Sequence, residues 1–175
     1  MNDILLLAKA FNFAAIAHTQ HRRKGEAAEP YINHLAEVAE LVATATGGND
    51  THLVVAALLH DTVEDTEVSQ SDLQREFNED IASLVMEVTD DKSLPMQKRK
   101  ELQVKKASSK TDRAKILKLA DKTSNIRALV KSPPAHWNAA RRIEYLEWGV
   151  RVVEGLRGVN AHLEMQFDRA VSNTR

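Results

Sequence analysis

The sequence predicts an all-α fold, and three observations carry that expectation. Apolar residues recur at helical spacing, no strand-like alternation is bounded by turn dipeptides, and only 6 glycines and 4 prolines punctuate 175 residues. A chain of this length fits one domain, which buries roughly 70% of its unfolded surface. A single domain over residues 1–175 is therefore expected, built of about eight to ten helices of ordinary length.

In the first predicted helix Ile4, Leu7, Ala8, Phe11, Ala14 and Ala15 follow the i, i+3, i+4, i+7 rule and form its apolar face. Pro30 opens a second helix through Leu35, Val38, Ala39 and Val42, with Gly47 and Gly48 as its stop signal. A third starts near Asp50 or Thr51 and carries the run from Leu53 to Leu59, apolar nearly all round, which places it in the middle of the fold. That run ends directly on His60 and Asp61. Ser69 with Asp72 is a capping signal for a short helix ending near Phe77. Asn78 or Asp80 starts the next, with Ile81, Leu84, Val85 and Val88 on its apolar face. Further helices are expected at 95–107, 112–131, 135–157 and 159–172, with Pro133 and Pro134 separating two of them.

Hydrophobic residues make up 43% of the chain and charged residues 28%, which excludes a disordered or collagen-like protein. With 24 Lys and Arg against 25 Asp and Glu, the balance is poor for a general nucleic-acid binder. The basic residues are clustered at 22–24, 98–100, 105–106 and 141–142, which leaves local anion binding open. There is no cysteine, so disulfides, thiolate zinc sites and cysteine nucleophiles are excluded together, and a metal must use His, Asp or Glu. The run from Ile4 to Leu7 is too short for a membrane span and lacks the basic n-region of a signal peptide, so a cytoplasmic protein without a membrane partner is expected.

His60-Asp61-Thr62-Val63-Glu64-Asp65-Thr66 sets four ionisable groups directly after the most apolar helix. Burying such groups unpaired costs several kcal/mol. A divalent cation would offset that cost, since imidazole nitrogen and carboxylate oxygen are both good ligands for first-row metals. Alternatively Asp61 and Thr62 end one helix while Thr62 and Asp65 cap the next. His34 near a helix start is either a ligand or an ordinary satisfied histidine. Asp121, inside an apolar helical segment, is either a ligand or the partner of Lys118 or Lys122 on a solvated face. Together the pattern supplies His34, His60, Asp61 and Asp121 around one ion, with positions left for water.

The segments RRKG…PYINH (Arg22 to His34), ALLHDTVEDT (Ala57 to Thr66), VTDDKSLP (Val88 to Pro95) and KLADKTSN (Lys118 to Asn125) resemble the HD-superfamily hydrolase domain of RelA/SpoT proteins. The resemblance covers nearly the whole chain. Within the family it points to the stand-alone small alarmone hydrolases of the metazoan SpoT homologue type, because EYLEW…V…GLRG is similar to theirs and no synthetase domain follows. It implies an all-helical hydrolase that uses Mn²⁺ to remove the 3′-pyrophosphate from ppGpp or pppGpp. The metal residues then fall on His34, His60, Asp61 and Asp121, the catalytic carboxylates on Glu64 and Asp65, and the substrate-side residues on Arg23, Lys24 and Asn125.

The residue types suit that chemistry. A divalent ion lowers the pKa of bound water, a neighbouring carboxylate orients that water or takes its proton, and Arg and Lys hold phosphates. Tyr31 either stacks on the base or packs against a helix. Lys98, Arg99 and Lys100 either help hold the pyrophosphates or, the favoured reading, form a solvated helix face, and Arg141, Arg142 and Tyr145 form either a pocket border or an ion-paired surface. Two stretches depart from the long bifunctional enzymes: Lys122-Thr123-Ser124 replaces an arginine, leucine and histidine, and the loop from Gly25 to Glu29 is longer. Both are expected to touch substrate recognition rather than the metal. They keep two alternatives open, another nucleotide substrate such as NADPH or a nucleoside monophosphate, and a non-catalytic nucleotide-binding module.

Overall fold

The computed structural model describes residues 2–174; Met1 and Arg175, the end positions of the expected domain, lie outside them. Helices dominate, and among the described residues β-structure is confined to two isolated bridges, Arg22–Pro30 and Gly25–Pro134.

Helix α1 (Asp3–Ala17) is capped by the Asn2 side chain, which accepts the Ile4 N–H. It buries Leu6, Ala10 and Ala14, whereas Ile4 and Phe11 are 79% and 47% exposed. The expected apolar face is thus corrected. This helix is apolar nearly all round, so periodicity leaves two stripes to choose from, and the stripe with small alanines lets α1 approach its neighbour closely. Helix α2 (Ile32–Ala45) begins just after Pro30, whose carbonyl accepts the Asn33 N–H. It stops at Gly47 and Gly48, both with left-handed φ (59° and 73°), and the Gly48 N–H closes the end on the Ala43 carbonyl.

Helix α3 (Thr51–Leu59) buries every residue from Leu53 to Leu59, as the sequence predicts for a central helix. Around it pack α1, α2, α6 (Glu79–Val88) and α8 (Asp112–Lys131). A single turn, α4 (Thr62–Asp65), follows it, then α5 (Gln70–Glu76), opened by a capping box between Ser69 and Asp72. Asn78 caps α6, which buries Ile81, Leu84, Val85 and Val88 as expected. Helix α7 (Met96–Lys106) runs into a 3₁₀ turn (Ala107–Ser109), and Thr111 caps α8. The helix expected over 135–157 is shorter: α9 (Ala139–Glu154) starts where Asn138 accepts the Arg141 N–H. It ends at Gly155, where a Cβ would lie 2.6 Å from that of Ala107. Asn160 caps α10 (Ala161–Ser172), which lies along α8.

This packing decides where polar groups meet. The start of α2, the end of α3 and the middle of α8 come together at one end of the central helix, so three separate motifs supply one cluster.

Candidate active site

His34 and His60 are each 3% exposed and Asp121 is 5% exposed, unusual depths for three ionisable groups in contact. His34 Nε2 lies 3.5 Å from Asp121 Oδ1 and 3.7 Å from Asp61 Oδ2. His60 Nε2 lies 3.1 Å from Asp61 Oδ2 and 3.8 Å from Asp121 Oδ1. Each imidazole nitrogen thus faces one oxygen of Asp61 and one of Asp121. Ligand atoms of His34, His60 and Asp121 all lie within 4.8 Å of one another.

The surroundings fit a divalent cation. His60 Nδ1 donates to the Ala57 carbonyl at 2.8 Å, which in the neutral imidazole puts the lone pair on Nε2, and that buried atom has no hydrogen-bond partner. Burial lowers the pKa of His34 and so favours the neutral imidazole a metal needs. At His60 burial acts the same way, but the carboxylates of Asp61 and Asp121 outweigh it and push the imidazole up to about 10. The cluster therefore attracts positive charge, and a proton on His60 competes with a metal. Burial works against ionised Asp61, yet His60 and His34 beside it hold its carboxyl well below the usual carboxylate range.

Asp121 is held on both sides. Its Oδ2 accepts from Lys122 Nζ at 3.2 Å with Lys118 Nζ 3.8 Å away, while its Oδ1 accepts from Asn125. Of the alternatives expected for Asp121, the lysine pairing is present, but on a buried rather than a solvated face. Tyr31 OH donates to Asp61 Oδ2 at 2.7 Å, and its ring stacks on His18 with centroids 5.1 Å apart. Its surroundings are those of the packing alternative, with the hydroxyl spent on Asp61.

A cleft of about 950 Å³ opens over the cluster and is lined by every predicted site residue except His60, which lies beneath it. Glu64 and Asp65 enter from α4. Glu64 accepts the Asp90 N–H at 3.0 Å and faces Arg99 at 3.7 Å, and burial raises its pKa. Asp65 is ion-paired with Lys92. Arg23 donates to Asn125 at 3.1 Å, so Asn125 links Arg23 to Asp121. Lys24 lines the cleft from the loop after α1, a loop pinned by the contact of Gly25 with Ser132, where a Cβ would come within 2.0 Å of the hydroxyl oxygen.

Several lining residues differ from the sequence reading. Arg99 turns inward to Glu64 and Lys100 lies over the Tyr145 and Trp148 rings, so only Lys98 of that trio keeps the expected solvated setting. Tyr145 borders the cleft between Trp137 and Trp148, each at 5.2 Å. Arg141 instead stacks over Trp137, and Arg142 donates to its carbonyl. Lys122 and Ser124 touch Asp121 and His34, which corrects the expectation that their departure bears only on substrate recognition. Lys118, expected only as a partner of Asp121 on a solvated face, is buried and lines the cleft, which its spacing from Asp121 does not reveal.

The HD domain matches residues 10–146, well over half of the sequence. The chain belongs to the HD-domain family. Among HD-domain relatives, guanosine-3′,5′-bis(diphosphate) 3′-pyrophosphohydrolase MESH1 of Xenopus tropicalis is 45% identical over 167 residues, 95% of this chain and 93% of that protein. The Homo sapiens enzyme of the same name is 46% identical over 158 residues, 90% and 88% of the two chains. A solved HD-domain structure described as a metazoan ortholog of SpoT that hydrolyzes ppGpp superimposes with a TM-score of 0.91 at 42% identity, covering 94% and 93% of the two chains. A Listeria monocytogenes protein superimposes with a TM-score of 0.69 at 27% identity, covering 84% of this chain and 99% of that one. The HD-domain family and the donor set together call for a divalent metal. Among the described residues no helix is long and apolar enough to cross a membrane.

Proposed function

We propose that this chain hydrolyses the 3′-pyrophosphate ester of ppGpp or pppGpp, releasing pyrophosphate and leaving GDP or GTP, with Mn²⁺ as the metal. The observation that carries the reading is the convergence of His34, His60, Asp61 and Asp121 beneath a cleft whose walls hold Glu64 and Asp65 and a ring of cationic side chains. The near full-length similarity to enzymes named for this reaction supports the choice of substrate.

The bound metal would supply an acidified water and a polarised phosphoryl oxygen. His34, His60, Asp61 and Asp121 would hold it. Glu64 and Asp65 orient the attacking water and accept its proton; burial, by raising Glu64, makes it the better acceptor. Arg23, Lys24, Lys118, Lys122 and Arg99 line the cleft and balance the charge of the pyrophosphate groups. Tyr145 and Trp137 give the purine a flat apolar wall, and Asn125, bonded to Asp121, lines the same cleft. The whole chain acts as one HD-type hydrolase domain, and the absence of cysteine fits a cytoplasmic setting.

Anion-exchange separation of products after incubation with ppGpp and Mn²⁺ tests this. GDP and pyrophosphate, abolished by a chelator, are expected. Orthophosphate as the released product, or untouched ppGpp beside a cleaved second nucleotide, contradicts it.

A further inference from the structure

Ser124, one of the departures from the long family members, touches His34 rather than the substrate cleft alone, and its hydrogen bonds can be assigned from donor and acceptor chemistry. Ser124 Oγ lies 2.7 Å from Glu37 Oε2 and 2.9 Å from His34 Nδ1. An ionised carboxylate only accepts, so the serine hydroxyl proton is spent on Glu37. The contact to His34 must then be donated by the imidazole, which puts its proton on Nδ1 and its lone pair on Nε2, the atom facing Asp61 and Asp121. Were the hydroxyl turned round, His34 would present an N–H to the cluster and repel a cation. The other oxygen of Glu37 is held by Arg127 Nη1 at 3.1 Å, and Arg127 Nη2 donates to Gln166 Oε1 at 2.9 Å. The brace thereby reaches α10, beyond residue 146 where the HD-domain match ends.

We propose that Glu37 and Ser124 are positioning residues: through two hydrogen bonds they fix His34 as a lone-pair donor at Nε2, and so set the affinity of the site for its divalent cation. His60 needs no such side-chain partner, because the Ala57 carbonyl does the same for it. Outer partners of this kind typically change metal affinity by about 10–100-fold. The inference rests on His34 being a ligand, the reading given under Proposed function.

The test is titration of metal-stripped protein with Mn²⁺, following the free ion by electron paramagnetic resonance, together with the imidazole ¹⁵N shifts of His34 before metal is added. Wild type should bind one ion and show the Nδ1–H tautomer. Ser124→Ala should weaken binding by about 10–100-fold and mix the tautomers, and Ser124→Thr, which keeps the hydroxyl, should recover both. Glu37→Gln, whose amide can donate and release the hydroxyl to turn, should fall between. Wild-type affinity and an unmixed tautomer in both Ser124→Ala and Glu37→Gln would overturn the proposal. Wild-type affinity in His34→Gln would instead overturn the ligand set beneath it, so the two failures are distinguishable.

Discussion

Asp121 faces two ways, one oxygen toward two imidazoles and the other toward two buried lysines, and this division explains how so much charge is tolerated at such depth. A buried carboxylate without those partners would favour its neutral form, but the lysines and histidines hold Asp121 well below the usual range against the pull of burial. The proposed roles separate cleanly on substitution. Asp65→Ala removes a group that pairs with Lys92 and touches none of the four proposed ligands, so kcat should fall by about 10²–10⁴-fold while metal content stays near stoichiometric. An unaltered kcat contradicts the assignment. Asp61→Ala should lose metal by more than the roughly 10–100-fold expected for an outer partner, read by elemental analysis after dialysis; full occupancy removes Asp61 from the ligand set. These residues were legible because HDTVED directly follows the apolar run from Leu53 to Leu59, where ionisable groups demand a reason. Ser124 was not, since a serine in a helix gives no sign of which distant imidazole it meets.

Among the elements, α3, α5 and α6 could be read almost to their ends, because their caps are short polar side chains with one geometry: Asp50, Ser69 and Asn78 each accept a backbone N–H inside the following turn. The face of α1 and the inward turn of Arg99 on α7 could not, for both depend on what packs opposite. Asp50 does a second task. Arg113 grips both of its oxygens at 2.8 Å and reaches Asp80 at 2.8 Å, tying the starts of α3, α6 and α8 together. Burial would raise Asp50, but the Arg113 hydrogen bonds override it, and the same guanidinium lowers Asp80. Carboxylates depressed in the folded state add stability that is full above their ordinary value of 3.8 and disappears as pH falls through the folded value. Arg113→Ala should therefore lower Tm by about 2–4 °C at neutral pH, the size of a partly exposed network. The gap from wild type should close below about pH 4, as thermal melts across a pH series would show. A gap that widens on acidification contradicts this account.

At the scale of the molecule, the fold works by bringing together motifs 26 to 87 residues apart in sequence, since His34, His60 and Asp121 come from α2, the end of α3 and α8. The central apolar helix delivers His60 and Asp61 at its end, and the long α8 carries both a proposed ligand and the basic residues proposed to meet the substrate's charge. The aromatic and cationic wall from α7 and α9 was the least legible part, because the approach of Lys100 to Tyr145 and Trp148 is set by helix packing and leaves no local pattern. The most direct measurement of the central claim is ³¹P NMR of ppGpp during turnover by the Mn²⁺-loaded protein. The account predicts that the 3′-diphosphate signals give way to free pyrophosphate while the 5′-diphosphate of GDP persists; stepwise release of orthophosphate, or loss of the 5′-diphosphate first, would contradict it.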